Sequence, residues 1–271
     1  MTARFTDLLA AEWIKLWSLR STPWAFLIGA LAVVGINVNG SLADYTNYPG
    51  YPQGIKDFFV PMWSLRDAFT VESSMVLMLA TGSIGALAVI SEYGTGQIRT
   101  TFAAVPARRS VVAAKLSVVT VLMTLYGAVV AGTSFGVTQA ILAGRGVGVS
   151  LGHPGALRVV VASALLAPVC ALAGMGLGSV IRHTAGTIVA VTGFLLLLPS
   201  LFTDRDHWTA TVLHALPHGA WDRLVEAEVA NWPGPPAAYP SSIAGSWVVY
   251  AVWAVVAAVV AVVVIDVRDC D

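Results

Sequence analysis

Three groups of residues in this chain have types and spacings that could do chemistry. The first is Gly132-Thr133-Ser134-Phe135-Gly136, which fits the G-x-S-x-G pattern of serine hydrolases. That pattern makes a nucleophile on a strand–turn–helix corner, with a base in reach of the serine. Here it lies inside a long apolar stretch, and none of His153, His183, His207, His214 and His218 falls deep in such a stretch. Helix packing explains it better than catalysis. The second group is His214, His218 and Asp222, spaced by four. One helix would align them as two imidazoles and a carboxylate for Zn²⁺, but spacing supplies no fourth ligand and Pro217 interrupts the helix. The third is the segment 92–115, which carries Glu92, Arg99, Arg108, Arg109 and Lys115. Gly94 and Gly96 break a helix before it, a short helix is expected at about 97–104, and Pro106 stops it. Its plain role is a polar connector with basic anchors, Arg108, Arg109 and Lys115, at an anionic leaflet. A short rigid helix between two long apolar ones can also pass a partner's motion on to them. No G-x-x-x-x-G-K-[ST] and no H-E-x-x-H occurs, so neither P-loop nucleotide binding nor zincin chemistry is expected of this chain.

The elements that must carry these residues follow from composition. Of 271 residues, 57% are hydrophobic and only 11% charged, with a mean hydropathy of +0.77. Soluble domains carry roughly 25% charged residues. The shortage excludes an ordinary soluble enzyme and a disordered chain. Fifteen Lys+Arg balance fifteen Asp+Glu, so no net charge draws the chain to nucleic acid. Cys170 and Cys270 are too few for a disulfide framework or a cysteine zinc site. A polytopic membrane protein remains. Charge-free intervals at 21–43, 73–91, 116–144, 159–181, 183–203 and about 244–265 predict six spans. Lipid leaves no outside partner for backbone groups, so the spans should be helices. The expected class is all-α, one domain over 1–271: an interfacial helix at 1–22, a six-span bundle at 23–266 and a short tail at 267–271.

With the N-terminus inside, nine basic and six acidic residues fall on the cytoplasmic side, against six and nine outside. Positive charge favours cytoplasmic loops, so both termini and the 92–115 segment are expected in the cytoplasm. A signal-peptide reading, cleaved after Ser41-Leu42-Ala43, is a poor fit because Asp7 and Glu12 precede the apolar run. The spans hold almost no ionisable residue, which argues against a proton-coupled pump. Gly82/Ala86, Gly132/Gly136 and Gly174/Gly178 are small-xxx-small pairs, suited to close packing within one subunit or between two.

Residues 4–22 read as an amphipathic helix in the membrane interface. Arg4, Asp7, Ala11, Lys15, Ser18 and Thr22 form a narrow polar stripe, with Trp13 and Trp17 at headgroup depth. Glu12 projects from the apolar side and must pair with a basic residue of another segment or reach the headgroups. Pro23 would mark the turn into the first span. The segment 44–70 is an outer loop of turn and belt aromatics, with Phe58, Phe59, Val60, Met62 and Trp63 resting on the bilayer. The segment 203–243 is the longest outer stretch, with a short amphipathic helix and a proline-rich loop at 232–236.

These features together resemble an ABC-2-type transporter permease. The resemblance rests on Glu92-Tyr93, Gly96-Gln97-Ile98-Arg99-Thr100, Pro106, Arg108, Arg109 and Lys115, in that order and spacing. The N-terminal Glu12-x-x-Lys15-Leu16-x-Ser18-x-Arg20 is similar to the family's interfacial helix, and the span plan agrees over essentially the whole chain. The resemblance implies two permease chains that pair, each docking on a separate ATP-binding subunit. The helix near 97–104 would be the coupling helix, with Glu92 bracing it and Arg99 reaching the partner. ATP and Mg²⁺ would bind the partner, with no cofactor and no catalytic or metal site in this chain. The cargo expected is hydrophobic or amphiphilic (a drug, lipid or peptide) moved out across the cell membrane. The alternative is a non-transport membrane protein, either a hydrolase built on Ser134 or an assembly scaffold.

Overall fold

The computed structural model describes residues 4–18, 21–105, 107–227 and 238–268. Among them every regular element is helical and no strand occurs. Helix is the form in which an apolar segment closes its own backbone hydrogen bonds, which is what these compositions demand.

Helix α1 (Phe5–Ser18) is followed by the long α2 (Ser21–Asn47), with Pro23 in the first turn of α2 rather than in a turn before it. The missing N–H of proline costs nothing in a first turn. A 3₁₀ turn at Tyr48–Gly50, α3 (Gln53–Phe58), a π turn at Phe59–Trp63 and α4 (Ser64–Ala68) lead into α5 (Val71–Gly94). The Thr70 hydroxyl caps α5 by accepting from the Ser73 N–H at 3.2 Å. The expected loop at 44–70 is thus folded, and Phe59 is not laid on the bilayer but buried among Leu142, Val147, Tyr48 and Tyr51. Then come the short α6 (Gln97–Ala104), α7 (Arg108–Ala143) and α8 (Ala156–Ile181). Beyond them lie α9 (Thr184–Thr192), a π turn at Gly193–Leu197 and α10 (Leu198–Ser200), then α11 (His207–Ala215), α12 (Pro217–Val225) and α13 (Ile243–Arg268).

Five helical stretches are long and apolar enough to cross a membrane: those built on α2, α5, α7, α8 and α13. The fifth expected span, 183–203, differs. Thr184–Ser200 is a shorter apolar helix of 17 residues, interrupted by a π turn. At 1.5 Å per residue it is about 26 Å long, a little short of a ~30 Å hydrocarbon core. It starts beside the C-terminal end of α8 and runs back along α5, with Val191 and Leu195 against Gly82.

α8 is the central post, packed by α5, α7, α12 and α13. Its approach to α5 depends on small residues: a Cβ added at Gly174 would lie 2.0 Å from the Gly82 carbonyl oxygen. The Gly82/Ala86 and Gly174/Gly178 pairs therefore pack within the chain. Gly132 and Gly136 meet nothing within 4 Å and face outward. Helix direction gives the bundle two ends. One carries α1, α6, the start of α7 and the end of α13, where Ala261 packs on Val112. The other carries the segment 44–70, the α7–α8 connection and the pair α11–α12.

Candidate functional site

The helix α1 turns one stripe into the bundle and leaves the rest out. Leu8 and Glu12, four residues apart, are buried, while Trp13, Ile14 and Trp17 are exposed. Leu8 packs on Val111 and Ala114 of α7. That placement brings the carboxylate of Glu12 to Lys115, one helical turn beyond Val111. The apolar-side position of Glu12 is resolved by pairing, not by reaching the headgroups.

Four charges from three helices close a ring. The Lys15 ammonium donates to Glu12 Oε1 at 2.6 Å and to Glu92 Oε1 at 2.8 Å. The Lys115 ammonium donates to Glu12 Oε2 at 2.5 Å and to Glu92 Oε1 at 3.0 Å. Glu12 therefore takes one lysine on each oxygen, and Glu92 takes both lysines on one. Two positive and two negative charges cancel. The side chains of Glu12, Glu92 and Lys115 are 4%, 8% and 11% exposed, so water screens them little. Burial works against the Lys15 ammonium, but hydrogen bonds to Glu12 and Glu92 outweigh it and raise its pKa above the ordinary lysine value. Lys115 stands inside this ring rather than at a leaflet surface.

The ring lies beneath α6. Glu92 is in the last turn of α5, and Gly96, at φ +70°, supplies the left-handed residue that turns the chain into α6. L-residues pay roughly 1–2 kcal/mol for that conformation, which is why a glycine is needed there. Ile98, Thr101 and Phe102 of α6 line a small void together with Glu92, Lys115, Val89, Val111 and Met175. The Arg108 guanidinium lies over the Phe102 ring, 5.3 Å from its centroid, and closes the end of the short helix onto α7. Tyr93 receives Arg182, from the end of α8, at 4.5 Å. Gln97, Thr100, Ala103 and Ala104 form the exposed side of α6, with Arg109 exposed beside it. The structure thus draws Glu12, Lys15, Glu92 and Lys115 into one cluster and sets Tyr93, Gly96, Gln97, Thr100 and Arg108 around it. Arg20 and Pro106 lie outside the described residues, as does the side chain of Arg99. The sequence signal for the ring was an acid on the apolar side of α1; its partner 103 residues away had no such mark.

At the opposite end, Asp67 apart, the buried polar groups are neutral. Asn37 of α2 donates from Nδ2 to Ser134 Oγ at 3.1 Å and accepts at Oδ1 from the Thr70 N–H and hydroxyl, at 3.1 and 3.0 Å. Gln139 donates to the Ser64 carbonyl and accepts from the Val149 N–H, both at 2.7 Å, while the Ser64 hydroxyl donates to the Val147 carbonyl. Trp221 Nε1 donates to Ser163 Oγ at 3.2 Å. Asn37, Ser134, Ser163 and Trp221 border a small void with space for about one water. Ser134 is fully buried, and its hydroxyl meets an amide, which cannot act as a base. The second sequence group also comes apart. The helix breaks at Leu216, so His214 lies on α11 while His218 and Asp222 lie on α12. No cluster of three metal-ligating side chains occurs among the described residues. Burial lowers the His218 pKa, with Asp222 opposing. The sequence matches no family model and no curated protein.

Proposed function

We propose that this chain is the membrane subunit of an ATP-driven exporter of the ABC-2 type, working with a separate ATP-binding subunit. One observation carries the reading: a helix of eight residues, α6, is held between two long apolar helices, shows one side to the outside, and borders a small void with Glu92 and Lys115 of a buried ring of charges. A partner that pushes on Gln97, Thr100 and Arg99 moves the ends of α5 and α7, because Glu92 and Lys115 tie those ends together. Through Glu12 and Lys15 the same push reaches α1 at the membrane surface. The ring makes the end of the bundle move as one body.

In this reading Thr184–Ser200 is the sixth crossing, thinning the bilayer slightly or tilting little to fit it. Even parity would put both termini and α6 on one side, and the excess of Lys/Arg there supports the cytoplasmic side of the cell membrane. Two such chains would pair, and the outward-facing Gly132 and Gly136 of α7 suit a close helix contact. The scarcity of charge along the spans suits a hydrophobic or amphiphilic cargo. ATP and Mg²⁺ belong to the partner.

The test is copurification from the native membrane in mild detergent, with crosslinkers placed on α6. A stoichiometric soluble subunit carrying a P-loop is the expected result. Recovery of the chain with no nucleotide-binding protein, even after crosslinking, would sink the reading. Where the partner is found, Arg99→Ala is expected to leave insertion intact and to uncouple transport from ATP turnover. Glu92→Gln keeps the shape of the ring with one charge fewer and is expected to weaken coupling less than Arg99→Ala.

A further inference from the structure

Two buried serines carry hydroxyl hydrogens that meet no acceptor in the chain. A serine inside a helix often closes its hydroxyl on a carbonyl of the preceding turn. Ser41 does so on Asn37, Ser73 on Thr70, Ser74 on Val71 and Ser179 on Gly176. Ser134 of α7 and Ser163 of α8, 0% and 4% exposed, are instead acceptors. The Thr70 N–H can only donate, so it fixes Asn37 Oδ1 as its acceptor and leaves Nδ2 to donate to Ser134 Oγ. The Trp221 indole N–H also can only donate, and it gives to Ser163 Oγ. Neither serine hydrogen finds an acceptor among the described residues.

Both serines line the same cavity, between α2, α5, α7, α8 and α12. Every residue that lines it is buried. Ser73 and Ser74, in the first turn of α5, line it too. Their hydroxyls donate to the Thr70 and Val71 carbonyls at 2.9 and 2.7 Å, and their oxygens accept from no described residue. Two donors and two acceptors thus surround a space the size of about one water. Val33, Leu77 and Leu166 close its apolar side. A bare ion does not suit it, because no lining residue carries a charge to offset one.

We propose that this cavity is a binding site for one water, which accepts from Ser134 and Ser163 and donates to Ser73 and Ser74. A water has two lone pairs and two hydrogens, so the four serines match it in number and in kind. Buried waters make two to four such bonds. The water completes a neutral network that runs from Thr70 through Asn37 and Ser134 to Ser163 and Trp221. It ties the start of α5 to α7 and α8, about two turns from the close contact at Gly82 and Gly174. The site does not depend on what the chain transports.

The experiment uses the full chain, crystallised from lipid and diffracting well enough to resolve waters. One round density peak is expected within about 3 Å of the Ser134 and Ser163 Oγ atoms and of Ser73 or Ser74 Oγ. No peak, or an elongated one that continues into a lipid or cargo molecule, overturns the proposal. A second measurement uses the chain in nanodiscs. X-ray pulses split bound water where it sits, and the radicals label the side chains beside it. Labelling of the buried Leu77, Leu166 and Trp221 is expected in the parent chain. It should be lost in the double variant Ser134→Ala with Ser163→Ala, while the exposed Trp208 labels as before. Equal labelling of the cavity in both proteins overturns the proposal. If the double variant does not fold, Ala131→Val fills the space with all four serines kept and should lose the same labelling.

Discussion

At one end of the bundle Glu12, Lys15, Glu92 and Lys115 meet as full charges; at the other Asn37, Ser64, Thr70, Ser134 and Gln139 meet as neutral dipoles. Both junctions tie several helices and both are buried. Their energetics differ in kind. Each ion in the ring has lost several kcal/mol of hydration, recovered only while every partner is present. A neutral hydrogen bond contributes about 1 kcal/mol net, nearly independently of the next. The charged end therefore behaves as a unit, and the neutral end loosens bond by bond. A coupling device needs the first property.

The largest effect is expected from Lys115→Met, which leaves two buried carboxylates facing one ammonium. It should cost about 3–5 kcal/mol, read as thermal unfolding in detergent. The double variant Glu12→Met with Lys115→Met leaves Lys15 and Glu92 as a neutral pair, so it should lose less than the sum of the single changes. Strict additivity would show that the four charges do not act as a ring. Next comes Asn37→Ala, which strips the Thr70 N–H and hydroxyl of their acceptor; about 2–3 kcal/mol is expected by the same measurement. A loss equal to that of Lys115→Met would erase the contrast between the two ends.

Smaller again is Gly96→Ala. A Cβ there meets nothing within 4 Å, so only the left-handed backbone resists it, at about 1–2 kcal/mol. Faster amide exchange confined to α6 and its neighbours is the expected signature. Exchange that spreads to α4 would mean the two ends are mechanically joined. The smallest effect belongs to Ser134→Ala, about 1 kcal/mol or less, since Asn37 keeps its bonds to Thr70. A fluorophosphonate probe should leave Ser134 of the parent chain unlabelled. Labelling there would bring back the hydrolase reading.

Much of this architecture is legible along the chain. Four intervals between charges, 21–43, 73–91, 116–144 and 159–181, coincide with apolar helices that extend beyond them at one end or both. The short helix α6 spans the residues that two glycines and a proline enclose. The interval 183–203 was less legible: charge spacing registers length, but not a π turn at Gly193–Leu197 or the stop at Ser200. The place of Phe59 in the segment 44–70 was hidden for a related reason. Aromatics at a membrane surface and aromatics in a small core have the same composition, and only packing separates them. Phe59 is buried because Leu142 and Val147, far along the chain, fold over it.

The sequence by itself determined that the chain is helical and membrane-like, where its long apolar helices lie, and that a short helix interrupts them after Gly96. Those are local properties: a helix closes its hydrogen bonds within four residues, and hydropathy belongs to each stretch alone. Only the tertiary structure decided that Glu12 meets Lys115 across 103 positions and that Asn37 meets Ser134 across 97. Such pairings depend on the angle and depth at which one helix seats against another. Those are set by the small residues at Gly82 and Gly174 and by the packing of Leu8 on Val111, contacts that join segments far apart in the chain.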